Sequence, residues 1–223
     1  FENLHVSKGW FDSSVSFGEP GYEERETIAN GLYVAGTSGF TDIALNANTN
    51  PVIDSHSEVS FVISKAENSP TTLHPIGALT KESKGDDLAE LFDMKSAGSI
   101  AFGDYKKPII NPNLLKIALQ YASSFDGLVH SYPHEARVAA NGVMNEHLMS
   151  TQLGLKGLPA LAEELQIVRD LFILEYTEGK LHIPTISTAK SVALIREAKA
   201  KKLDVSCSVA IHNLMFTDEC LSD

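Results

Sequence analysis

The sequence predicts an α/β fold in which parallel strands alternate with crossover helices. Short, nearly continuous apolar runs recur along the chain, and each run but the last is followed by a segment with helical spacing of apolar residues. Strands without polar alternation are typical of a sheet buried on both faces, and intervening helices imply parallel pairing. With 223 residues, 43% of them hydrophobic, the chain is long enough to bury such a core.

The predicted elements follow one another in strict alternation. We predict strands at residues 10–17, 40–47, 72–79, 99–104, 127–132, 180–187 and 204–210. We predict helices at residues 22–38, 58–67, 86–97, 113–124, 158–177 and 189–201. The longest interval without a strand begins at Glu135, and its first part, up to the helix at 158, is expected to be a loop rich in small residues.

Two of these helices are supported by particular residues. The first helix has an acidic first turn, which suits the positive end of the helix dipole and contains Glu23, Glu24 and Glu26. The helix at 158–177 has an apolar face at helical spacing, made of Leu161, Leu165, Val168, Leu171 and Leu174.

Parallel strands with crossover helices form either an open doubly wound sheet or a closed barrel. No GxGxxG or GxxxxGK[ST] turn follows any predicted strand, so the usual fingerprint of a nucleotide-binding open sheet is missing. We therefore predict a (β/α)8 TIM barrel forming a single domain over residues 1–223. Seven strands are visible, and we expect the eighth beyond residue 223 and the domain to be incomplete at both ends.

Composition excludes several classes of function. A net charge of −11 offers no basic surface to neutralise phosphates, which argues against nucleic acid as a partner. No apolar run approaches the roughly 20 residues that a membrane-spanning helix needs. Two cysteines, Cys207 and Cys220, form neither a CxxC pair nor a disulfide framework. A reducing, cytoplasmic location is expected.

The end of the first strand carries the most informative motif. Residues 12–21 read Asp-Ser-Ser-Val-Ser-Phe-Gly-Glu-Pro-Gly, and the loops at the carboxyl ends of barrel strands build the active site. The stretch resembles the first-strand motif of dihydroorotases in the amidohydrolase superfamily, Asp-x-His-x-His-x-Arg-Glu-Pro-Gly. Further likeness to that family lies at residues 26–31, 39–41, 48–54, 142–146 and 157–160.

The resemblance implies a zinc-dependent hydrolase of dihydroorotate, with a small β-domain built from both termini. It places metal-binding histidines at Ser14, Ser16, His130 and Thr185, so three of these four histidines are replaced. A serine hydroxyl is a poor zinc ligand because it is not deprotonated at neutral pH. Asp104 matches the family's metal-binding carboxylate, and the alternative is a structural turn aspartate. The family's general base would lie beyond residue 223.

The residues expected to bind substrate are also altered. The family's substrate-binding arginine corresponds to Gly18, which offers no donor side chain for a carboxylate. Asn48 matches the family asparagine that holds the same carboxylate, although residues 48–51 would also form a good turn for structural reasons. His182 matches a family histidine without an assigned role. No GxSxG elbow is present to indicate a serine nucleophile.

Three functional hypotheses remain. The first is a catalytically inactive dihydroorotase homologue without a cofactor. It would act in pyrimidine biosynthesis by binding, as a homo-oligomer and as a partner of aspartate carbamoyltransferase or of an active dihydroorotase. The second is an active zinc-dependent cyclic amidohydrolase with altered ligation by His130, Asp104 and His134, the last beside Glu135. The third is that the protein acts on a different substrate, without a metal, in the retained cavity.

Overall fold

The structure is a computed structural model that describes residues 5–221. Its strands are β1 (Trp10–Val15), β2 (Phe40–Leu45), β3 (Thr72–Gly77), β4 (Ala101–Phe102), β5 (Val129–His130), β6 (Met144–Asn145), β7 (Gly157–Leu158), β8 (Leu181–Ile183) and β9 (Val205–Cys207). Its α-helices are α1 (Ile28–Thr37), α2 (His56–Lys65), α3 (Leu91–Ala97), α4 (Pro112–Ser123), α5 (Ala136–Ala139), α6 (Leu148–Gln152), α7 (Leu161–Thr177), α8 (Ala189–Ala200) and α9 (His212–Met215). Short 3₁₀ turns lie at Lys81–Ser83 and Asp218–Cys220.

Seven strands form one parallel sheet in the order β1-β2-β3-β4-β5-β8-β9. Each new strand is added to the same side of the sheet, whereas a doubly wound sheet reverses direction at a switch point. The predicted barrel topology is therefore confirmed. β6 and β7 pair with each other in a separate two-stranded sheet. The expected eighth strand remains a prediction.

The two faces of the main sheet carry different side chains because successive residues of a strand point to opposite sides. The outer face packs large apolar residues against the helices, among them Ile43, Phe102 and Leu181. The inner face has a small apolar cluster of Ala44, Ile76 and Ala101. Above that cluster, towards the carboxyl ends of the strands, the inner face is polar.

The first helix is shorter than predicted. It begins at Ile28 rather than at residue 22, because Thr27 caps it by accepting a hydrogen bond from the backbone N–H of Asn30. The carboxylate of Glu19 accepts a second hydrogen bond from the backbone N–H of Ile28. The glutamates expected in the first turn of the helix instead precede it.

Two other predictions in the second half of the chain were wrong. The expected loop before residue 158 contains α5, β6 and α6, elements too short to produce a periodic pattern. The buried face of α7 is also displaced, because Leu161 and Leu165 are exposed while Gln166 and Asp170 are buried. Ser131 donates a hydrogen bond to Asp170 at 2.6 Å, which satisfies a buried carboxylate at a position outside the predicted apolar face.

β8 is shorter than its apolar run. It ends at Ile183 because Pro184 has no backbone N–H to donate and Thr185 adopts a positive φ of 52°. The chain therefore leaves the sheet early and turns over its carboxyl end. Within the described residues, no helix has both the length and the apolar character that crossing a bilayer requires.

Candidate active site at the carboxyl ends of the strands

A cavity of about 580 Å³ opens at the carboxyl ends of the strands. It lies where barrel enzymes build their sites, and its volume suits a small organic ligand. Five of the residues singled out from the sequence line it: Ser14, Asp104, His130, His182 and Thr185. Ser16 and Asn48 lie on the loops that follow β1 and β2, outside the lining that the described residues provide.

Ser14, near the end of β1, and Ser16, just after it, are held by two asparagines after β2. The side-chain amide of Asn46 donates to the Ser14 hydroxyl at 3.0 Å and to the Val15 carbonyl at 2.9 Å. The side-chain amide of Asn48 donates to the Ser16 hydroxyl at 2.7 Å. The Asn48 side-chain oxygen is buried, with no hydrogen-bond partner among the described residues. Both serine hydroxyl oxygens therefore accept hydrogen bonds from asparagine side chains.

Gly18 lies in a turn that leaves no room for a side chain. Its backbone N–H donates to the Glu26 carbonyl, and its carbonyl accepts from the Tyr22 N–H, both at 2.9 Å. A Cβ atom placed on Gly18 would lie 1.7 Å from the Tyr22 carbonyl oxygen. An arginine at this position would require the backbone of the turn to move.

Asp104 is buried and fully engaged by the segment after β3. Its Oδ1 accepts hydrogen bonds from the backbone N–H groups of Leu79 at 3.0 Å and Thr80 at 3.1 Å, and its Oδ2 accepts one from the Thr80 hydroxyl at 2.5 Å. Burial raises the pKa of the Asp104 carboxyl, and the hydrogen bonds from Thr80 oppose that rise. This arrangement matches the turn aspartate that the sequence left open as an alternative.

Two histidines lie side by side in the cavity. The ring centroids of His130 and His182 are 4.6 Å apart. Burial lowers the pKa of His130 to about 3, with a further contribution from the nearby His182, and burial lowers the pKa of His182 to about 4. Both imidazoles are therefore neutral at pH 7.

His182 also contacts two serines, and sequence reasoning missed this grouping. Its Nδ1 lies 2.8 Å from the Ser206 hydroxyl, and its Nε2 lies 3.2 Å from the Ser208 hydroxyl. The sequence places Ser206 in the last predicted strand and Ser208 two residues later, but nothing in it points to His182. Only the register, with His182 opposite Ser206, shows that they meet.

His134 and Glu135 do not assemble with this group. The His134 ring stacks on Tyr132, with ring centroids 5.9 Å apart. The Glu135 carboxylate caps α5 by accepting a hydrogen bond from the Val138 N–H at 2.7 Å. His130 therefore has His182 as its imidazole neighbour, and the Glu135 carboxylate is used for capping.

Comparison with known proteins identifies the family of the chain. A sequence model described as Dihydro-orotase-like matches residues 5–191. The chain belongs to the dihydroorotase-like family. It is 44% identical over 216 residues to a protein named dihydroorotase from Pelotomaculum thermopropionicum, covering 97% of this chain and 51% of that protein. It is 41% identical to another so named from Acetivibrio thermocellus, covering 100% and 52%. The chain spans about half the length of these relatives.

Solved structures confirm the fold. An L-hydantoinase from Arthrobacter aurescens superposes with a TM-score of 0.77 at 16% identity, covering 95% of this chain and 49% of that one. A dihydroorotase from Saccharomyces cerevisiae superposes with a TM-score of 0.65 at 13% identity, covering 96% and 59%. The predicted membership of the dihydroorotase family and the predicted barrel fold are both confirmed.

The residues at the family's ligand positions do not fit zinc, which catalytic sites hold with three protein ligands of imidazole, thiolate or carboxylate type. Ser14 and Ser16 accept hydrogen bonds from asparagines, Thr185 has a hydroxyl in place of an imidazole, and Asp104 is engaged by Thr80. Within residues 5–221, no group of three His, Cys, Asp or Glu side chains is placed to hold a metal ion. Of the two residues that keep the family's ligand type, Asp104 is held by hydrogen bonds to the segment after β3. His130 has no such hydrogen bond among the described residues.

Proposed function

We propose that this chain is a dihydroorotase-family protein of pyrimidine biosynthesis that does not itself perform zinc-dependent hydrolysis and acts by binding. The observation that carries the proposal is the pairing of Ser14 with Asn46 and of Ser16 with Asn48. These pairs replace the first two metal ligands of the family motif with a self-contained hydrogen-bonded layer. A hydroxyl already accepting a hydrogen bond and protonated at neutral pH is a poor ligand for zinc.

The substrate side supports the same proposal. Recognition of a carboxylate by arginine depends on a planar fork of donors, and the turn at Gly18 excludes any side chain there. The amide of Asn48 is directed at Ser16 rather than towards a ligand. Two of the groups that would hold the carboxylate of dihydroorotate are thus absent or engaged.

The proposed partner is aspartate carbamoyltransferase or an active dihydroorotase, and the proposed assembly includes self-association. Support comes from what the family resemblance implies, since the family contains inactive members that serve as partners of aspartate carbamoyltransferase. A chain that keeps the barrel while losing the metal-binding groups retains a surface for such contacts. No cofactor is required for this role.

The experiment pairs an activity assay with a binding assay. The full-length protein, supplied with zinc, is incubated with dihydroorotate, and the release of N-carbamoyl-aspartate is compared with that by a dihydroorotase that keeps the His-x-His motif. We expect no release above the buffer control. Sedimentation velocity with aspartate carbamoyltransferase is expected to show a faster-moving complex. Hydrolysis at a rate comparable to that of the control enzyme would overturn the proposal.

A second candidate, the zinc-dependent amidohydrolase with altered ligation, is favoured by one observation. The neutral imidazoles of His130 and His182 lie 4.6 Å apart at the cavity wall, and neutral imidazole is a common metal ligand. If this candidate is correct, His130→Ala will abolish both zinc binding and hydrolysis. If activity survives that substitution, altered ligation at His130 is excluded.

A further inference from the structure

Three side chains, two of them in the cavity wall, form a continuous hydrogen-bonded chain: Ser208, His182 and Ser206. The Ser208 hydroxyl lies 3.2 Å from His182 Nε2, and His182 Nδ1 lies 2.8 Å from the Ser206 hydroxyl. Ser208 and His182 both line the cavity. A nucleophile within reach of a base, with the base held by a third group, is the arrangement by which hydroxyl nucleophiles are activated.

Ser208 is fixed in position from several sides. Its backbone N–H donates to the Ile183 carbonyl at 3.3 Å, and its carbonyl accepts from the Ile186 N–H at 2.9 Å. Its hydroxyl accepts a hydrogen bond from the Thr185 N–H at 3.2 Å. Because these contacts come from the last residue of β8 and the segment that follows it, backbone groups position Ser208.

The contacts also indicate which group donates and which accepts in each hydrogen bond of this series. The Ser208 oxygen already accepts from Thr185, so its own hydrogen is best donated to the lone pair of His182 Nε2. His182 is then protonated at Nδ1, and this N–H donates to the Ser206 oxygen. This assignment follows from the hydrogen-bond network. It places the basic nitrogen of His182 against the hydroxyl that faces the cavity.

We propose that Ser208 is a nucleophile for acyl transfer from small esters or activated amides, with His182 as its base and Ser206 as a positioning residue. The inference goes beyond the proposed function, because it assigns the cavity a chemistry that needs no metal. The site also differs from a nucleophile elbow, in which the serine sits on a sharp turn directly between a strand and a helix. Ser208 follows β9, but α9 begins only at His212.

The proposed reaction has two balanced steps. The Ser208 oxygen forms a bond to the acyl carbon while its proton passes to His182 Nε2. The bond from the acyl carbon to the leaving alcohol or amine then breaks, and the leaving group takes the proton from His182. In the second step, water attacks the acyl carbon of the acyl-serine and gives its proton to His182 Nε2. The bond to the Ser208 oxygen breaks, that oxygen takes the proton back, and the acid is released.

The test is covalent labelling of the full-length protein. Excess p-nitrophenyl acetate is added in one experiment and a fluorophosphonate probe in another, both in metal-free buffer that contains a chelator. The modified residue is located by peptide mass spectrometry. We expect a burst of p-nitrophenol and an adduct on Ser208. No adduct, or an adduct confined to other residues, would overturn the proposal. This mapping uses the wild-type protein, so it decides the question even if a variant fails to fold.

Variants then test each role. Ser208→Ala is expected to abolish labelling, and His182→Gln to slow it by about 100-fold, a typical contribution of a general base. Ser206→Ala is expected to slow acylation without weakening probe binding, and Ser206→Thr to restore the rate because the hydroxyl returns. The matched control is Ser13→Ala, which removes another cavity-lining hydroxyl and should leave labelling unchanged. Equal labelling of Ser208→Ala and wild type would contradict the assignment.

The outcome is separable from that of the proposed function. Dihydroorotate hydrolysis with zinc tests the first proposal, and metal-free acylation of Ser208 tests the second. A protein that hydrolyses dihydroorotate but gives no serine adduct defeats both, whereas one that does neither supports the binding role and rejects the nucleophile.

Discussion

The outer and inner faces of the sheet use the same strands for different purposes. On the outer face, Ile43, Phe102 and Leu181 are at most 1% exposed and pack against helices. On the inner face, the neighbouring positions hold Ala44, Gly103 and His182, which leave room for a cavity. Burial of large apolar groups on the outer face stabilises the fold. Replacement of side chains on the inner face is therefore compatible with an intact outer core.

The largest expected effect comes from emptying the outer face. Phe102 is fully buried, and its ring makes an edge contact with Phe125, with centroids 6.0 Å apart. We expect Phe102→Ala to lower the free energy of unfolding by about 3–5 kcal/mol, because the lost burial is accompanied by a cavity. Urea unfolding followed by circular dichroism measures the change.

The matched inner-face control for this measurement is Ser14→Ala. It leaves the Asn46 amide its second acceptor, the Val15 carbonyl. We expect a loss of less than about 1 kcal/mol, in keeping with removal of one partly exposed hydrogen bond. Similar losses from Phe102→Ala and Ser14→Ala would show that the two faces do not differ in the way described.

An intermediate effect is expected at Asp104, which is buried beyond the carboxyl end of β4. Asp104→Ala would leave the backbone N–H groups of Leu79 and Thr80 without their acceptor in a buried site. We expect a loss of about 1–3 kcal/mol, the usual cost of unsatisfied buried donors. Asp104→Asn keeps one side-chain oxygen as an acceptor and should lose less. If Asp104→Ala were as stable as wild type, its structural role would be refuted.

A smaller effect should appear in the pH dependence of stability. His130 and His182 have pKa values lowered by burial to about 3 and about 4, from 6.5. As the pH falls below about 6.5, the unfolded chain takes up protons that the folded chain does not, so stability should decrease between pH 6.5 and 4. Thermal unfolding at a series of pH values measures this loss.

Comparison with a variant isolates the histidine contribution. Burial raises the pKa of Asp104 and Asp170, so these carboxyls change stability with the opposite sign. His182→Gln removes one of the two histidines while the aspartates stay. We expect a shallower loss of stability between pH 6.5 and 4 in this variant. An unchanged slope would mean that the pKa of His182 is not lowered in the folded protein.

The features predictable from sequence were those encoded by local pattern. β2 was predicted at residues 40–47 and is observed at Phe40–Leu45, because its apolar run lies in a sheet covered on both sides. The parallel pairing of the strands followed from their alternation with helices. Family membership followed from the stretch that contains Ser14 and Ser16, and the comparison with curated relatives confirmed it.

The features that escaped prediction depend on contacts between distant parts of the chain. Asp170 occupies a buried helix position because Ser131, on another element, satisfies it. The exclusion of a side chain at Gly18 depends on where the Tyr22 carbonyl lies. The grouping of His182 with Ser206 and Ser208 depends on strand register. None of these leaves a periodic signal in a single sequence.

Zinc binding by the full-length protein tests the central claim most directly. Wild type and a variant carrying Ser14→His, Ser16→His and Thr185→His are titrated with zinc against a competing chelating dye, and bound metal is measured by mass spectrometry. We expect the wild type to retain no zinc against the dye and the variant to bind it, because three imidazoles would rejoin His130. Stoichiometric zinc in the wild type would contradict the account, since the donors present would then suffice to hold the metal.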